Sequence, residues 1–199
     1  MNVALRSPWT PDAFLAWEER QELRHEFDGF RPVAMTGGTW AHALIQANLI
    51  VALGRRLAGR PCRVYGSVLK IRAAGSIRYP DAFVACTPAP RRSTVIDDPV
   101  VIFEIISDST ARTDRIVKNR EYAATPSVRR YVLLEQDAVE GTMFARTPAG
   151  EWLGHLLGPD TVLHMPEIGV DLPLAELSAG LGPVGPEPEA PQLPDRADA

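Results

Sequence analysis

The feature that most constrains the fold is the run Val100–Ile106, in which every residue except Glu104 is apolar. Such a run is typical of a central strand that is buried on both faces of a sheet. An ionised carboxylate in that setting is costly unless it is paired or binds a metal ion. Glu104 is therefore a candidate functional residue. The alternatives are a salt bridge to a nearby arginine and an exposed strand end.

Helices and short strands are expected around this strand. Residues 10–19 and 40–57 are typical of helices, because Thr10 is a good cap for the first and apolar residues recur at helical spacing in the second. A third helix is expected over residues 111–124, where Pro126 ends it, and a short closing helix over 172–177. The predicted strands cover residues 24–35 (two strands joined by a turn), 62–71, 78–86, 129–135, 141–146 and 152–157.

A second carboxylate, Asp81, follows Pro80 in the predicted strand 78–86. Alone, Asp81 is also explained as a turn cap at a strand end. Together with Glu104 it is a stronger signal, because adjacent strands can bring two carboxylates side by side and a divalent cation then offsets their repulsion. Oxygen ligands without a Cys/His cluster suit Mg²⁺, with Mn²⁺ as a substitute.

Lys118 lies in the predicted third helix, on one face with Asp114 and Tyr122. A surface ion pair between Asp114 and Lys118 is the alternative, and Tyr122 is expected to pack with its hydroxyl as a polar tip. However, the chain has two lysines against nineteen arginines. A compact ammonium that polarises a water or steadies a phosphoryl oxygen is a specific role for lysine.

Composition and charge limit the remaining classes. Hydrophobic residues make up 45% of the 199-residue chain and charged residues 23%, which is typical of a globular protein. No apolar stretch is long enough for a membrane span, and the first residues lack the pattern of an export signal, so a cytoplasmic location is expected. Cys62 and Cys86 are expected to be reduced and buried.

The net charge of −4 is concentrated in the Pro-rich tail, residues 182–199, which is expected to be disordered. The rest of the chain is nearly neutral, so bulk charge does not support tight non-specific binding of nucleic acid.

As a set, the motifs resemble those of the Uma-type restriction endonuclease family, long a domain of unknown function, within the PD-(D/E)XK nuclease superfamily. The resemblance covers about residues 10–181. It rests on the segments 24–29 (RHEFDG), His42, 79–81 (YPD), 98–99 (DP), 104–107 (EIIS) and 114–122 with Lys118. In the superfamily pattern the lysine follows the glutamate by two positions, where this chain has Ile106. The resemblance implies that Lys118 has taken its place from the next helix.

The resemblance implies the fold and the site. The fold class is α/β (α+β mixed): a restriction-endonuclease-like core with a mixed central sheet flanked by helices and extended by an antiparallel meander. Residues 1–181 would form one domain. The activity would be Mg²⁺-dependent hydrolysis of DNA, without an organic cofactor and without a membrane.

Further site residues are expected from the same resemblance. Glu26 would approach the metal, with a surface hairpin residue as the alternative, and His42 would orient a water or contact a phosphate, with a helix cap as the alternative. Arg112 and Arg115 would contact flanking phosphates. A homodimer would place one site on each strand of a duplex.

Two other functions remain open at this stage. The first is a nuclease fold that binds nucleic acid or protein without cleavage, since one fold hosts many functions. The second is an interaction protein in which the acidic cluster is a structural set of salt bridges and Glu104 meets an arginine.

Overall fold

The computed structural model describes residues 9–35, 37–107 and 111–182. The helices are α1 (Pro11–Glu18), α2 (Trp40–Leu57) and α3 (Asn119–Ala123), with a π-helical segment, Thr113–Lys118, before α3 and a 3-10 turn at Leu174–Glu176. The strands are β1 (His25–Phe27), β2 (Pro32–Ala34), β3 (Arg63–Gly66), β4 (Lys70–Ala73), β5 (Ser76–Arg78), β6 (Ala82–Ala85), β7 (Val95–Ile96), β8 (Val101–Ile106), β9 (Arg130–Glu135), β10 (Gly141–Arg146), β11 (Trp152–Leu157), β12 (Val162–Met165) and β13 (Val170–Pro173).

Residues 183–199 of the predicted tail lie outside the described ranges, as do residues 108–110 before the third helix. Within those ranges, no helix combines the length and the apolarity that a membrane span requires.

The strands form two larger sheets and one small hairpin. The six-stranded sheet has the order β11-β10-β9-β8-β6-β3, and the five-stranded sheet has the order β2-β1-β5-β4-β7. In the first sheet β8 is parallel to β9 and antiparallel to β6. All of β8 is buried, which confirms the prediction of a central strand. The mixed sheets and flanking helices also confirm the predicted α+β fold class.

The six-stranded sheet is covered on both faces. Helix α2 packs its buried residues Leu49 and Leu53 into one hydrophobic cluster with Phe103 of β8. Ile102 and Ile106 belong to the cluster on the other face. Because side chains alternate along a strand, Glu104 is directed to the second face, toward the π-helical segment and α3.

The predicted strands 62–71 and 78–86 each cover one strand of the six-stranded sheet, β3 or β6, and part of a strand of the five-stranded sheet, β4 or β5. Residues 67–69 separate β3 from β4, and the link Tyr79–Asp81 separates β5 from β6. Pro80 has no N–H to donate within a sheet, so the chain leaves one sheet there and enters the other. The predicted closing helix is also wrong for the most part, since residues 170–173 are strand β13 and only a 3-10 turn follows.

Cys62 and Cys86 form a disulfide bond, so the prediction of two reduced cysteines is wrong. The antiparallel register pairs Arg63 with Ala85, which brings the residues just beyond that pair, Cys62 and Cys86, opposite each other. The sequence assigned each cysteine to a strand but did not reveal that the two strands are neighbours.

Candidate active site

A cleft of about 820 Å³ contains all five residues that the sequence analysis proposed for the site centre. Its walls come from the β1–β2 hairpin, the start of α2, the Tyr79–Asp81 link, β8 and the π-helical segment. The residues are Glu26, His42, Asp81, Glu104 and Lys118. Residues far apart in the chain therefore meet where the two large sheets adjoin.

Glu104 and Lys118 form the buried centre of the cleft. Nζ of Lys118 donates a hydrogen bond of 2.9 Å to Oε1 of Glu104, and the hydroxyl of Tyr122 donates one of 3.2 Å to the same oxygen. The side chains of the pair are 8% and 5% exposed. Among the described residues, the hydrogen-bond partners of Glu104 are thus Lys118 and Tyr122, and not the arginine of the alternative explanation. Lys118 instead reaches the glutamate from the next helix, as the resemblance implied, while Ile106 packs in the core.

Asp81 is held from two sides. Its Oδ2 accepts a hydrogen bond of 2.7 Å from the N–H of Ile105 and lies 3.1 Å from Nε2 of His42. The side chain of Gln46 fixes the main chain at the same residue through a 2.8 Å bond to its carbonyl. His42 is thus placed by the first turn of α2 to orient Asp81. The hydrogen bond to Asp81 raises the pKa of His42, although burial opposes the rise.

Glu26 is anchored rather than free. Its Oε1 accepts a hydrogen bond of 3.0 Å from the N–H of Tyr79 and lies 3.6 Å from Nζ of Lys118. Its Oε2 accepts a hydrogen bond of 3.0 Å from the guanidinium of Arg78. Burial raises the pKa of Glu26, but Lys118 and Arg78 outweigh burial and leave the pKa below its ordinary value.

Two charged residues of the cluster were not among the proposed site residues. Asp114 is 2% exposed, and its Oδ1 lies 3.0 Å from Nζ of Lys118 without forming a hydrogen bond with any described residue. Arg78 is 1% exposed and joins Glu26 to Glu121, to which it donates two hydrogen bonds. For Asp114, the sequence signal was its position four residues before Lys118, on the same helix face. Arg78 gave none, because nineteen arginines are present.

The cluster contains more carboxylates than cations. Burial raises the pKa of Glu104 well above its ordinary value, and the nearby Asp114, Asp81 and Glu26 add to the rise against the effect of Lys118. Burial acts to lower the pKa of Lys118, but the surrounding carboxylates outweigh it and keep the ammonium charged. Arg78 is shared with Glu121, so it does not restore the balance.

The side chains fit a hard divalent cation. Among the described residues, both hydrogen bonds to the Asp81 carboxylate end on Oδ2 and both to the Glu104 carboxylate end on Oε1. One oxygen of each remains for another partner. No group of three or more His, Cys, Asp or Glu side chains in the described ranges has the geometry of a metal site. Mg²⁺ does not need one, since it is commonly held by one or two carboxylates together with waters and substrate phosphates.

The two proposed phosphate-contacting arginines do not line the cleft. Arg112 is exposed near the start of the π-helical segment. Arg115 is partly exposed and pairs with Glu135. Their contact with nucleic acid stays a prediction.

Comparison with known proteins identifies the family of this chain. The family model Uma2, described as "Putative restriction endonuclease", matches residues 11–175. "Uncharacterized protein slr1290" of Synechocystis sp. (strain ATCC 27184 / PCC 6803 / Kazusa) is 33% identical over 175 residues, which cover 86% of this chain and 92% of that protein. A second protein of the same strain, "Uncharacterized protein sll1609", is 23% identical over 158 residues, which cover 77% and 89% of the two chains.

Among solved structures, a "putative nuclease belonging to DUF820" from Anabaena variabilis ATCC 29413 has a similar fold, with a TM-score of 0.65. It is 18% identical, and the match covers 86% of this chain and 98% of that one. This structural similarity supports the fold of the chain, and the match to the family model shows its family. The chain belongs to the Uma2 family, whose model is described as "Putative restriction endonuclease".

Proposed function

We propose that this protein is a Mg²⁺-dependent endonuclease that hydrolyses phosphodiester bonds of DNA. The observation that carries the proposal is the convergence of Lys118 on Glu104, at 2.9 Å, in the same cleft as Asp81. Carboxylates can hold a divalent cation for phosphodiester hydrolysis, and an ammonium in the same cleft can stabilise the negative charge that develops. The family match supports the reaction class.

In this proposal Asp81 and Glu104 hold the cation. The cation, when bound, supplies positive charge at the phosphate and makes water more acidic. His42 and the N–H of Ile105 keep Asp81 in place through its Oδ2, so that Oδ1 would be available to hold the cation. The positions of these groups are fixed by helix α2 and strand β8, as a preorganised site requires.

Lys118 donates hydrogen bonds to a phosphoryl oxygen or to the attacking water. Three carboxylates, of Glu26, Glu104 and Asp114, lie within 3.6 Å of its Nζ and keep it protonated. A charged donor in a water-poor site stabilises the negative charge that develops during phosphoryl transfer. Glu26 fits better as an anchor of Lys118 than as a metal ligand, since both of its oxygens already accept hydrogen bonds.

The alternative function is a nuclease fold that binds without cleavage. It is favoured by the nearly neutral charge of residues 1–181 and by the position of Arg112 and Arg115 outside the cleft. A homodimer remains a further proposal on symmetry grounds alone.

Cleavage of supercoiled plasmid and of labelled single-stranded and duplex DNA tests the proposal. We expect cleavage with Mg²⁺ or Mn²⁺, its loss in EDTA, and its loss in Asp81→Asn and Glu104→Gln. Glu18→Gln, which alters a buried carboxylate outside the cleft, is the matched control and should retain activity. A folded wild-type protein that binds DNA but cleaves none of these substrates with either metal would favour the alternative.

A further inference from the structure

Exposed apolar residues are concentrated in the segments of the chain that line the cleft. Of the twelve large hydrophobic residues exposed in the described ranges, seven either line the cleft or are next in the chain to a residue that lines it. These are Leu23, Phe30, Val33, Trp40, Val68, Ile116 and Val117. We call this set the apolar rim. Exposed apolar side chains gathered at a cleft are a candidate binding surface.

The β1–β2 hairpin forms the wall that leads from the buried acids to this rim. Glu26 pairs with Val33 across the hairpin, and the N–H of Asp28 donates to the carbonyl of Arg31 two residues nearer the turn. Paired residues and their second neighbours share one face of a hairpin. The cleft-facing wall therefore runs outward from Glu26 to Arg31 over about 7 Å.

The tip of this hairpin holds a fully formed turn with an exposed aromatic ring. Oδ1 of Asp28 accepts hydrogen bonds from the N–H groups of Phe30, at 2.9 Å, and Arg31, at 2.8 Å. Gly29 provides the positive φ, 89°, that the turn needs. The turn therefore does not depend on the side chain of Phe30, which is 84% exposed. Folding does not account for an aromatic residue at this position.

Two arginines line the same cleft. The side chain of Arg31 is 80% exposed and lies 3.8 Å from Asp28, a contact too weak to prevent it from binding a phosphate. Arg24 also lines the cleft and is held by a 3.1 Å hydrogen bond to the carbonyl of Ser67. Two arginines together with two exposed aromatic rings, Phe30 and Trp40, suit unpaired nucleotides better than a duplex. Duplex binding relies on many phosphate contacts, whereas single strands also stack their bases on aromatic rings.

We infer that the apolar rim binds unpaired nucleotides, so that the substrate class is single-stranded or locally unpaired DNA. Arg24 and Arg31 contact phosphates of the strand, and Phe30 and Trp40 stack against its bases. The strand then passes down the hairpin wall to Lys118 and the carboxylates. The inference rests on the proposed function for the position of the cleaved bond, but the binding surface stands on its own observations.

Binding is measured apart from cleavage by fluorescence anisotropy in a Glu104→Gln background. The probes are one labelled oligonucleotide as a single strand and the same sequence as a blunt duplex. We expect the single strand to bind at least about tenfold more tightly than the duplex, and Phe30→Ala or Trp40→Ala to weaken single-strand binding by roughly tenfold each. Leu156→Ala, which removes a side chain that is 89% exposed on β11 away from the cleft, is the matched control and should bind as before.

Equal affinity for the two probes, or Phe30→Ala matching Leu156→Ala, would overturn the inference. So would a Phe30-dependent dimer in sedimentation with DNA binding unchanged, since the rim would then join two copies of this chain. Absence of cleavage with the binding pattern intact would remove the proposed function and leave this surface. Cleavage of duplex alone, with the single strand unbound, would do the reverse.

Discussion

The two lysines of the chain lie in two buried ion-pair clusters that differ in one respect. Lys70, 4% exposed, donates a hydrogen bond of 2.7 Å to Glu18, whose other oxygen accepts one of 2.7 Å from the hydroxyl of Tyr79. Lys118, 6% exposed, has three carboxylates within 3.6 Å. One lysine is matched by one acid, and the other is outnumbered.

This difference separates a structural pair from a site. In the Glu18–Lys70 pair, each oxygen of the Glu18 carboxylate accepts a hydrogen bond, so the pair needs no further partner. In the Lys118 cluster, Asp114 keeps a buried oxygen without a hydrogen bond from the described residues, and the pKa of Glu104 is raised. Excess negative charge of this kind is what an added cation relieves. Charge balance therefore distinguishes the two clusters better than burial does.

The largest expected effect is the loss of stability in Lys70→Met. Removal of one partner leaves Glu18 buried without its ion pair, which costs about 3–5 kcal/mol. Urea unfolding monitored by circular dichroism measures the change. The double variant Glu18→Leu with Lys70→Met should recover much of this loss, because an apolar pair can replace a buried ion pair at little cost. A double variant no more stable than Lys70→Met would contradict the one-to-one description.

Next in size is the effect of Lys118→Met on catalysis. Under the proposed function it removes a charged donor, and we expect the rate of DNA cleavage to fall by about 100-fold or more. Lys70→Met, measured per folded molecule below its unfolding transition, should cleave at the wild-type rate. Equal losses in the two lysine variants would mean that the two clusters do not differ in function.

Metal binding should stabilise only the cluster with excess carboxylates. At a Mg²⁺ concentration 100 times the dissociation constant, wild type should gain about 2.7 kcal/mol. Glu104→Gln should lose this gain, whereas Glu18→Gln should keep it. Thermal unfolding with Mg²⁺ and with EDTA measures both. A similar gain in Glu104→Gln would place the ion elsewhere.

In EDTA, Glu104→Gln should itself be more stable than wild type at neutral pH. The pKa of Glu104 is raised in the folded state, so ionisation above that pKa costs stability, and the neutral amide avoids the cost. A lower melting temperature for Glu104→Gln in EDTA would indicate that the carboxylate is balanced by its neighbours after all.

The smallest effect concerns the pH dependence of the balanced pair. Burial raises the pKa of Glu18, but hydrogen bonds from Lys70 and Tyr79 outweigh burial, and the pKa lies below its ordinary value of 4.5. The stabilisation is therefore present above the unfolded-state pKa and is lost as pH falls through the folded-state pKa. The difference in unfolding free energy between wild type and Glu18→Gln should be constant near pH 6 and shrink toward pH 3. A difference that grows in acid would reverse the sign of the shift.

Much of the fold followed from local patterns in the sequence. Helix α2 and strands β8, β10 and β11 begin and end at or within one residue of their predicted bounds. The predicted strands 62–71 and 78–86 contain β3 and β6 but run on into strands of the other sheet. The change of sheet at Pro80 depends on tertiary structure and leaves no periodicity in the sequence. The disulfide was missed for the same reason, since its formation depends on which strands are neighbours.

The site was predictable to the extent that each residue was unusual where it stood. Glu104 was conspicuous in an apolar strand, and Lys118 was one of two lysines. Asp114 and Arg78 were not conspicuous, because an aspartate near a lysine and one arginine among nineteen are common. Their importance arises from their burial, which depends on the tertiary fold and cannot be read from the sequence alone.

The Tyr79–Asp81 link joins the two large sheets at the cleft, so the cleft is lined by residues of both. Glu26 and Arg78 belong to the five-stranded sheet and Glu104 to the six-stranded one, while Asp81 ends the link between them, just before β6. A ligand that fills the cleft would therefore contact residues of both sheets and restrict their relative motion. Amide hydrogens of the β1–β2 hairpin should then exchange more slowly when the cleft is filled, even though β8 lies in the other sheet. Bound substrate would thus make the boundary between the two sheets more rigid.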